Sequence, residues 1–151
     1  MEVFKGVAYS VNNVMKFRGT VPNSELRAVV DRLSDHVELN GAIKMGDVIM
    51  ATHVLYLEDK ISDTEIFMPI DKAIPSTKEF TYMQTFNLTD CLMAKHRDHP
   101  YLLPVTYTNL YREAKIAGLE VEPPFYNVFE GAVDGTWDVN DCSVSVYVAA
   151  R

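Results

Sequence analysis

Glu65 is the residue through which this chain could do the most specific chemistry. It stands between Thr64 and Ile66 in the stretch TEIFMPI, with few bases close by in sequence. Two readings are open. As a pocket carboxylate it would favour a bound cation that offsets its own desolvation. As an acid near a strand start it would simply be solvated, as acids beside turns mostly are. The chain is also rich in rings, among them Tyr101, Tyr107, Tyr111, Phe129, Trp137 and Tyr147. As a group they could form an aromatic cage that holds a flat or cationic guest by stacking and cation–π contact. Any single ring is more often ordinary core. Tyr107 and Tyr111 share a helix face, however, and their hydroxyls need partners, which suits a wet cavity.

Other chemistries lack their parts. His96 and His99 flank Asp98 in HRDH, but no third and fourth ligand accompany them, so no metal is expected and a charged, exposed corner is the better account. There is no G-x-S-x-G, and neither Cys91 nor Cys142 has an adjacent histidine or helix start. The stretch VFEGAVDGT has neither the spacing nor the lysine of a phosphate-cradling loop. No catalytic residue and no cofactor are therefore expected. The default reading of the two cysteines is reduced, buried thiols; a bond between them stays open, though nothing requires one.

Bulk properties narrow the partners. The chain has 151 residues, enough for a core without metal or disulfide staples. Lys plus Arg number 14 against 21 for Asp plus Glu, a net charge of −7. Such a surface repels phosphate backbones unless its bases are gathered on one face, and no basic block occurs. Nucleic-acid binding is not expected; a cationic or neutral small molecule, or a basic protein surface, fits better. No apolar run approaches the ~20 residues that cross a bilayer. MEVFKGVAYS lacks the form of a secretory signal, so a cytoplasmic location without membrane contact is expected.

The elements that must position these residues follow from periodicity. Residues 3–21 read as extended, with Asn12-Asn13 marking a bend or a bulge. Leu26, Val29, Val30, Leu33 and Val37 make one apolar stripe, so a helix follows, capped by Asn23 or Ser24 and stopped by Asn40-Gly41. Residues 48–57 and 65–70 predict two strands around the polar turn EDKISDT, with Pro69 at an edge or an end. Residues 80–95 predict a long strand. Pro104 suits the start of a second helix, with Tyr107, Leu110, Tyr111 and Ala114 inward and Gly118 ending it. Residues 125–130 and 143–149 predict the closing strands.

Strand, helix, strand, strand thus occurs twice, in half-units of about 1–72 and 79–151 joined by KAIPSTKE. This predicts a single α+β domain: a tandem βαββ repeat with pseudo-twofold packing, an antiparallel sheet, helices on one face and a groove between the halves.

Residues 94–131 carry a resemblance. Arg97, Pro100 and Tyr101 form a basic strand end and turn, with Asp98-His99 in place of a glycine. Tyr107 and Leu110 follow on the helix, then Gly118-Leu119, the Pro123-Pro124 break and Phe129. As a set these residues resemble the gyrase-inhibitor-like (GyrI-like) effector-binding domain, found also as the drug-sensing half of some multidrug-responsive transcription activators. The resemblance implies two βαββ units around a concave site lined by aromatics. It also implies a last-strand glutamate that meets cationic ligands. Here Ser145 aligns with that glutamate and Ala149 with the family's proline, whereas Glu65 keeps the form in the first half. The cation-binding role is then either lost or carried by Glu65.

The function expected is non-enzymatic binding of a small aromatic or amphipathic molecule between the halves, as a free-standing module. The residues expected to line it are Glu65, Tyr101, Tyr107, Tyr111, Phe129, Trp137, Ser145 and Tyr147. A protein-interaction module, regulating or inhibiting a partner protein, is the alternative, and a hydrolase of reactive small molecules a weaker one.

Overall fold

The computed structural model describes residues 1–131 and 143–151. β1 (Val3–Pro22) leads through a 3-10 turn into α1 (Leu26–Leu39), then β2 (Val48–Tyr56) and β3 (Ile61–Pro69). β4 (Phe80–His96), a second 3-10 turn at Pro100–Leu102, α2 (Leu103–Ile116), β5 (Val121–Glu130) and β6 (Ser143–Ala150) follow. Among the described residues no helix is long and apolar enough to cross a membrane.

The helices form where one stripe is apolar. Val29, Val30, Leu33 and Val37 are buried on α1; Leu103, Thr106, Leu110 and Ala114 are buried on α2. No side chain caps the start of α1, so the caps expected at Asn23 or Ser24 do not form. The stops do form as expected. Gly41 and Gly118 adopt φ of +73° and +72°, a backbone shape costly for other residues. Ala42 N–H then reaches the Val37 carbonyl at 3.1 Å, and Leu119 N–H reaches that of Ala114 at 2.9 Å.

The strands do not remain an open sheet. They close into an antiparallel barrel in the order β1-β3-β2-β5-β6-β4. β1 makes closure possible because it is 20 residues long. Its residues 14–22 pair with β3, and much of 3–17 pairs with β4. Asn13 has φ +61°, while the register shifts of β1 against β4 fall earlier, between Phe4 and Tyr9. β3 starts at Ile61 rather than near Glu65, and it is an internal strand with Pro69 at its end. The polar run before Glu65 can be sheet because Ser62 and Thr64, both buried, share a hydrogen bond of 2.9 Å.

Strand alternation sorts side chains between two faces. Outside, α1 packs on Met15, Phe17, Ile66 and Met68, and α2 on Leu92, Ala94, Val144, Val146 and Val148. Inside, Val14, Ile49, Phe67, Phe86, Cys91, Val128 and Tyr147 form one cluster with members from all six strands. Ile66 and Phe67 are neighbours in sequence yet lie in different cores, as do Val128 and Phe129.

Candidate functional site

The first candidate site is a cleft of about 400 Å³ on the helix-bearing face. Met50 of β2 and Phe129 of β5 line it, and these strands pair with each other. Leu26 and Arg27, from the start of α1, and Asn23, from the turn before it, also line it. So do His99 and Pro100, at the turn before α2. The volume is that of a drug-sized ligand pocket. Most of this lining is apolar, and among the described residues Arg27 and His99 are its charged or titratable groups.

Behind Phe129 the wall is held by a polar relay. Tyr107 donates its hydroxyl to Asn127 Oδ1 at 2.8 Å, and Asn127 Nδ2 donates to the Met50 carbonyl at 3.3 Å. Burial pushes the Tyr107 phenol up to about 12, against the opposing pull of the Asn127 hydrogen bond. The Tyr107 ring stacks on Phe125 at 4.3 Å between centroids. On the other side of the turn, His96 is fully enclosed. The His99 carbonyl can only accept, so His96 Nε2 donates to it at 2.9 Å. In the neutral ring Nδ1 then accepts from Thr106 at 2.7 Å. The exposed corner expected for His96 is therefore wrong: the histidine pins β4 to α2. Among the described residues no cluster of histidine, cysteine and acids could hold a metal ion.

The second candidate lies on the inner face. Phe67, Phe86, Tyr126, Tyr9 and Tyr147 form a chain of rings with neighbouring centroids 4.7–6.3 Å apart. Burial raises the pKa of Tyr9, Tyr126 and Tyr147 above the ordinary phenol value. Beside this chain sits Glu65, 8% exposed, hydrogen-bonded to His53 Nε2 and 3.7 Å from Lys16 Nζ. The neighbouring Arg18 and Asp63 engage each other at 3.1 Å, which holds the Asp63 carboxyl below its usual value. The inner face carries a further carboxylate, Glu130, which accepts from Ser145 Oγ at 2.5 Å and lies 3.4 Å from Lys95 Nζ. The Ser145 hydrogen bond, with Lys95, lowers the Glu130 pKa against the opposing effect of desolvation.

The expected site residues are thus divided. Phe129 lines the cleft, Tyr107 supports it through Asn127, and Tyr101, 72% exposed, follows its lining residue Pro100. Tyr111 does not face inward: it is 48% exposed and meets Phe125 edge-on. Glu65, Ser145 and Tyr147 lie on the inner face, separated from Phe129 by the sheet itself. Glu65 is not a solvated turn acid, because it falls in mid-strand between β1 and β2. Trp137 and Cys142 lie outside the described residues, and Cys91 is a buried free thiol whose pKa burial raises. Sequence reading missed His53, Met50, Leu26 and Arg27. Leu26 belonged visibly to the helix stripe, but nothing local marked its end as a cleft wall.

Comparison with solved structures supports the fold. The chain superposes on EcmrR in its DNA complex with TM-score 0.75 and 11% identity, covering 99% of this chain and 57% of that one. The present chain thus spans little more than half of that protein. Against the isolated EcmrR C-terminal domain the TM-score is 0.72 at 9% identity, with 100% and 99% of the two chains covered. A hydrolase from Listeria innocua gives 0.63 at 8% identity, with 99% and 91% covered. No family model and no curated protein matches the sequence. What is shared at these identities is the fold.

Proposed function

We propose that this chain binds a small aromatic or amphipathic molecule in the cleft between its two halves and does not transform it. The observation that carries this reading is the cleft of about 400 Å³ over the β2–β5 junction, with Met50 and Phe129 lining it and the approach to one helix from each half. Burial of ligand surface there contributes about 25 cal/mol per Å² of apolar area removed from water. The likeness to the EcmrR C-terminal domain and the GyrI-like pattern of residues 94–131 support the same reading at the level of fold.

The finer architecture proposed is a pseudo-twofold pair of βαββ units. Strand register supports it. In the first half Arg18 pairs with Glu65 and Glu65 with Ala51; in the second Lys95 pairs with Ser145 and Ser145 with Val128. Under this correspondence His53 matches Glu130, two residues beyond Ala51 and Val128 respectively. The second half would then keep a carboxylate on the inner face, moved from β6 to β5.

The test is to fill the cleft. Met50→Trp should weaken binding of a heterocycle found in a neutral and charged panel more than tenfold, by calorimetry, with little change in Tm. Undiminished binding in that variant would remove the cleft from consideration. A second reading, a protein-interaction module, is favoured by Val54, Leu55, Tyr56 and Leu57, which are 43–76% exposed in a row. There β2 has β3 on one side, while its pairing with β5 ends at Ala51. Leu55→Ser with Leu57→Ser should abolish association with a co-purifying partner if this reading is correct, and leave small-molecule binding intact.

A further inference from the structure

Resting on the cleft as the binding site, we infer that the turn joining β2 to β3 sets the shape of its rim, with Lys60 as a positioning residue that acts through its main chain. One hairpin reaches the cleft twice. At its base β2 supplies Met50, which lines the cleft. At its tip the Lys60 carbonyl accepts from the Asn23 backbone N–H at 2.8 Å. Asn23 lines the cleft too, and so does Leu26, three residues further on.

The Asn23 bond falls where the chain changes direction. β1 and β3 pair as far as Pro22 and Ile61, and Pro22 has no N–H to give. Asn23 then opens the 3-10 turn that leads into α1. Amides at the start of a helix need acceptors from outside it. Neither cap residue, Pro22 or Glu25, supplies one from its side chain. For Asn23 the β2–β3 turn supplies it instead. Presenting that carbonyl puts Lys60 at φ +53°, a left-handed shape that glycine or asparagine adopts at less cost. Such a residue persists where its surroundings hold it, and here Asn23 does so. The Lys60 side chain itself is exposed, so its backbone shape rather than its charge carries the effect. Were the turn to relax, Asn23 and Leu26 would lose this anchor and shift relative to Met50, which its ladders with β3 and β5 keep in place.

The experiment titrates 2-naphthol into the whole protein by calorimetry and follows solvent exchange of the Asn23 amide by NMR. The heat that Met50→Trp removes is the part that belongs to the cleft. Lys60→Gly and Lys60→Asn delete the charge but accept the left-handed backbone; both should bind within about twofold of the unsubstituted protein and keep the Asn23 amide protected. Lys60→Val opposes that backbone and should speed Asn23 exchange at least about tenfold. It should also weaken 2-naphthol about fivefold at a temperature well below Tm, because the rim is no longer pre-organised. Circular dichroism reports folding, and Lys60→Ala, with a smaller loss in the same direction, stands in if Lys60→Val unfolds. A defect of stability alone would lower Tm and leave the affinity of the folded protein unchanged. That result, or unaltered Asn23 exchange in Lys60→Val, or an equal loss of affinity in Lys60→Gly, would overturn the inference while leaving the cleft a ligand site. No binding of 2-naphthol to the unsubstituted protein at millimolar concentration would remove the cleft and this inference together.

Discussion

The two faces of the barrel wall use similar residues to opposite ends. The inner face gathers its rings into mutual contact and pairs three acids with bases: Glu65 with His53 and Lys16, Asp63 with Arg18, and Glu130 with Lys95. The helix-bearing face packs densely under each helix but leaves space where the two helix starts approach the β2–β5 junction. Charge and rings in a core mark a possible site only while they remain unsatisfied. On the inner face they largely satisfy one another, so the open space, rather than the richest chemistry, identifies the better candidate.

That contrast can be broken, most forcefully on the inner face. Phe67→Ala removes a ring that meets both Phe86 and Tyr126. It should cost about 3–5 kcal/mol in urea denaturation; a loss below about 1 kcal/mol would make the inner face a loosely filled pocket. The next effect belongs to the cleft support. Tyr107 titrates near 12 when folded and near 10 when unfolded. The native state therefore holds its proton longer. Its stabilisation is full below pH 10 and is lost as pH rises to about 12, a fall of about 2–3 kcal/mol. Tyr107→Phe should flatten that alkaline decline in a pH series of denaturation curves.

Smaller changes sharpen the comparison. Glu65→Gln weakens the pairing with His53 and Lys16 and should cost about 1–2 kcal/mol of stability. Affinity in the cleft should not change, and a selective loss of ligand binding would transfer the site to the inner face. Ser145→Ala should raise the Glu130 pKa toward the ordinary carboxylate value, read by carbon-detected NMR titration. Because that pKa is depressed in the fold, the associated stabilisation is present above the unfolded value and is lost as pH falls through the folded one. The variant should lose less stability on acidification. Least of all, Arg32→Ala breaks an exposed pair with Glu79 and should alter stability by less than about 0.5 kcal/mol.

Much of the architecture was legible before any coordinates. The stripe from Val29 to Val37, the stops at Gly41 and Gly118 and the order of elements each follow from local rules of spacing and backbone freedom. The site was legible only in part. Phe129, Tyr107 and Glu65 are all expected at one groove, whereas Phe129 lies on the cleft wall with Tyr107 behind it and Glu65 on the opposite face of the sheet. Sequence alternation tells which residues share a face within one strand; it does not tell which face of β3 matches which face of β5. That depends on register across β2, where Ala51 pairs with both Glu65 and Tyr126. Closure was equally hidden, because it rests on how far β1 extends past β3 to meet β4. The start of β3 was misread for a local reason: Ser62 and Thr64 look like turn residues until their hydroxyls are seen to bond each other.

β1 has a mechanical consequence. Residues Val14 to Phe17 pair with β3 on one side and with β4 on the other, over most of that stretch. β3 and β4 are therefore stitched to the same ribbon, and they cannot swing apart as two jaws on a flexible tether would. On the proposed binding role, a guest would be admitted by rearranged side chains at the rim of the cleft, with the shared ribbon left intact.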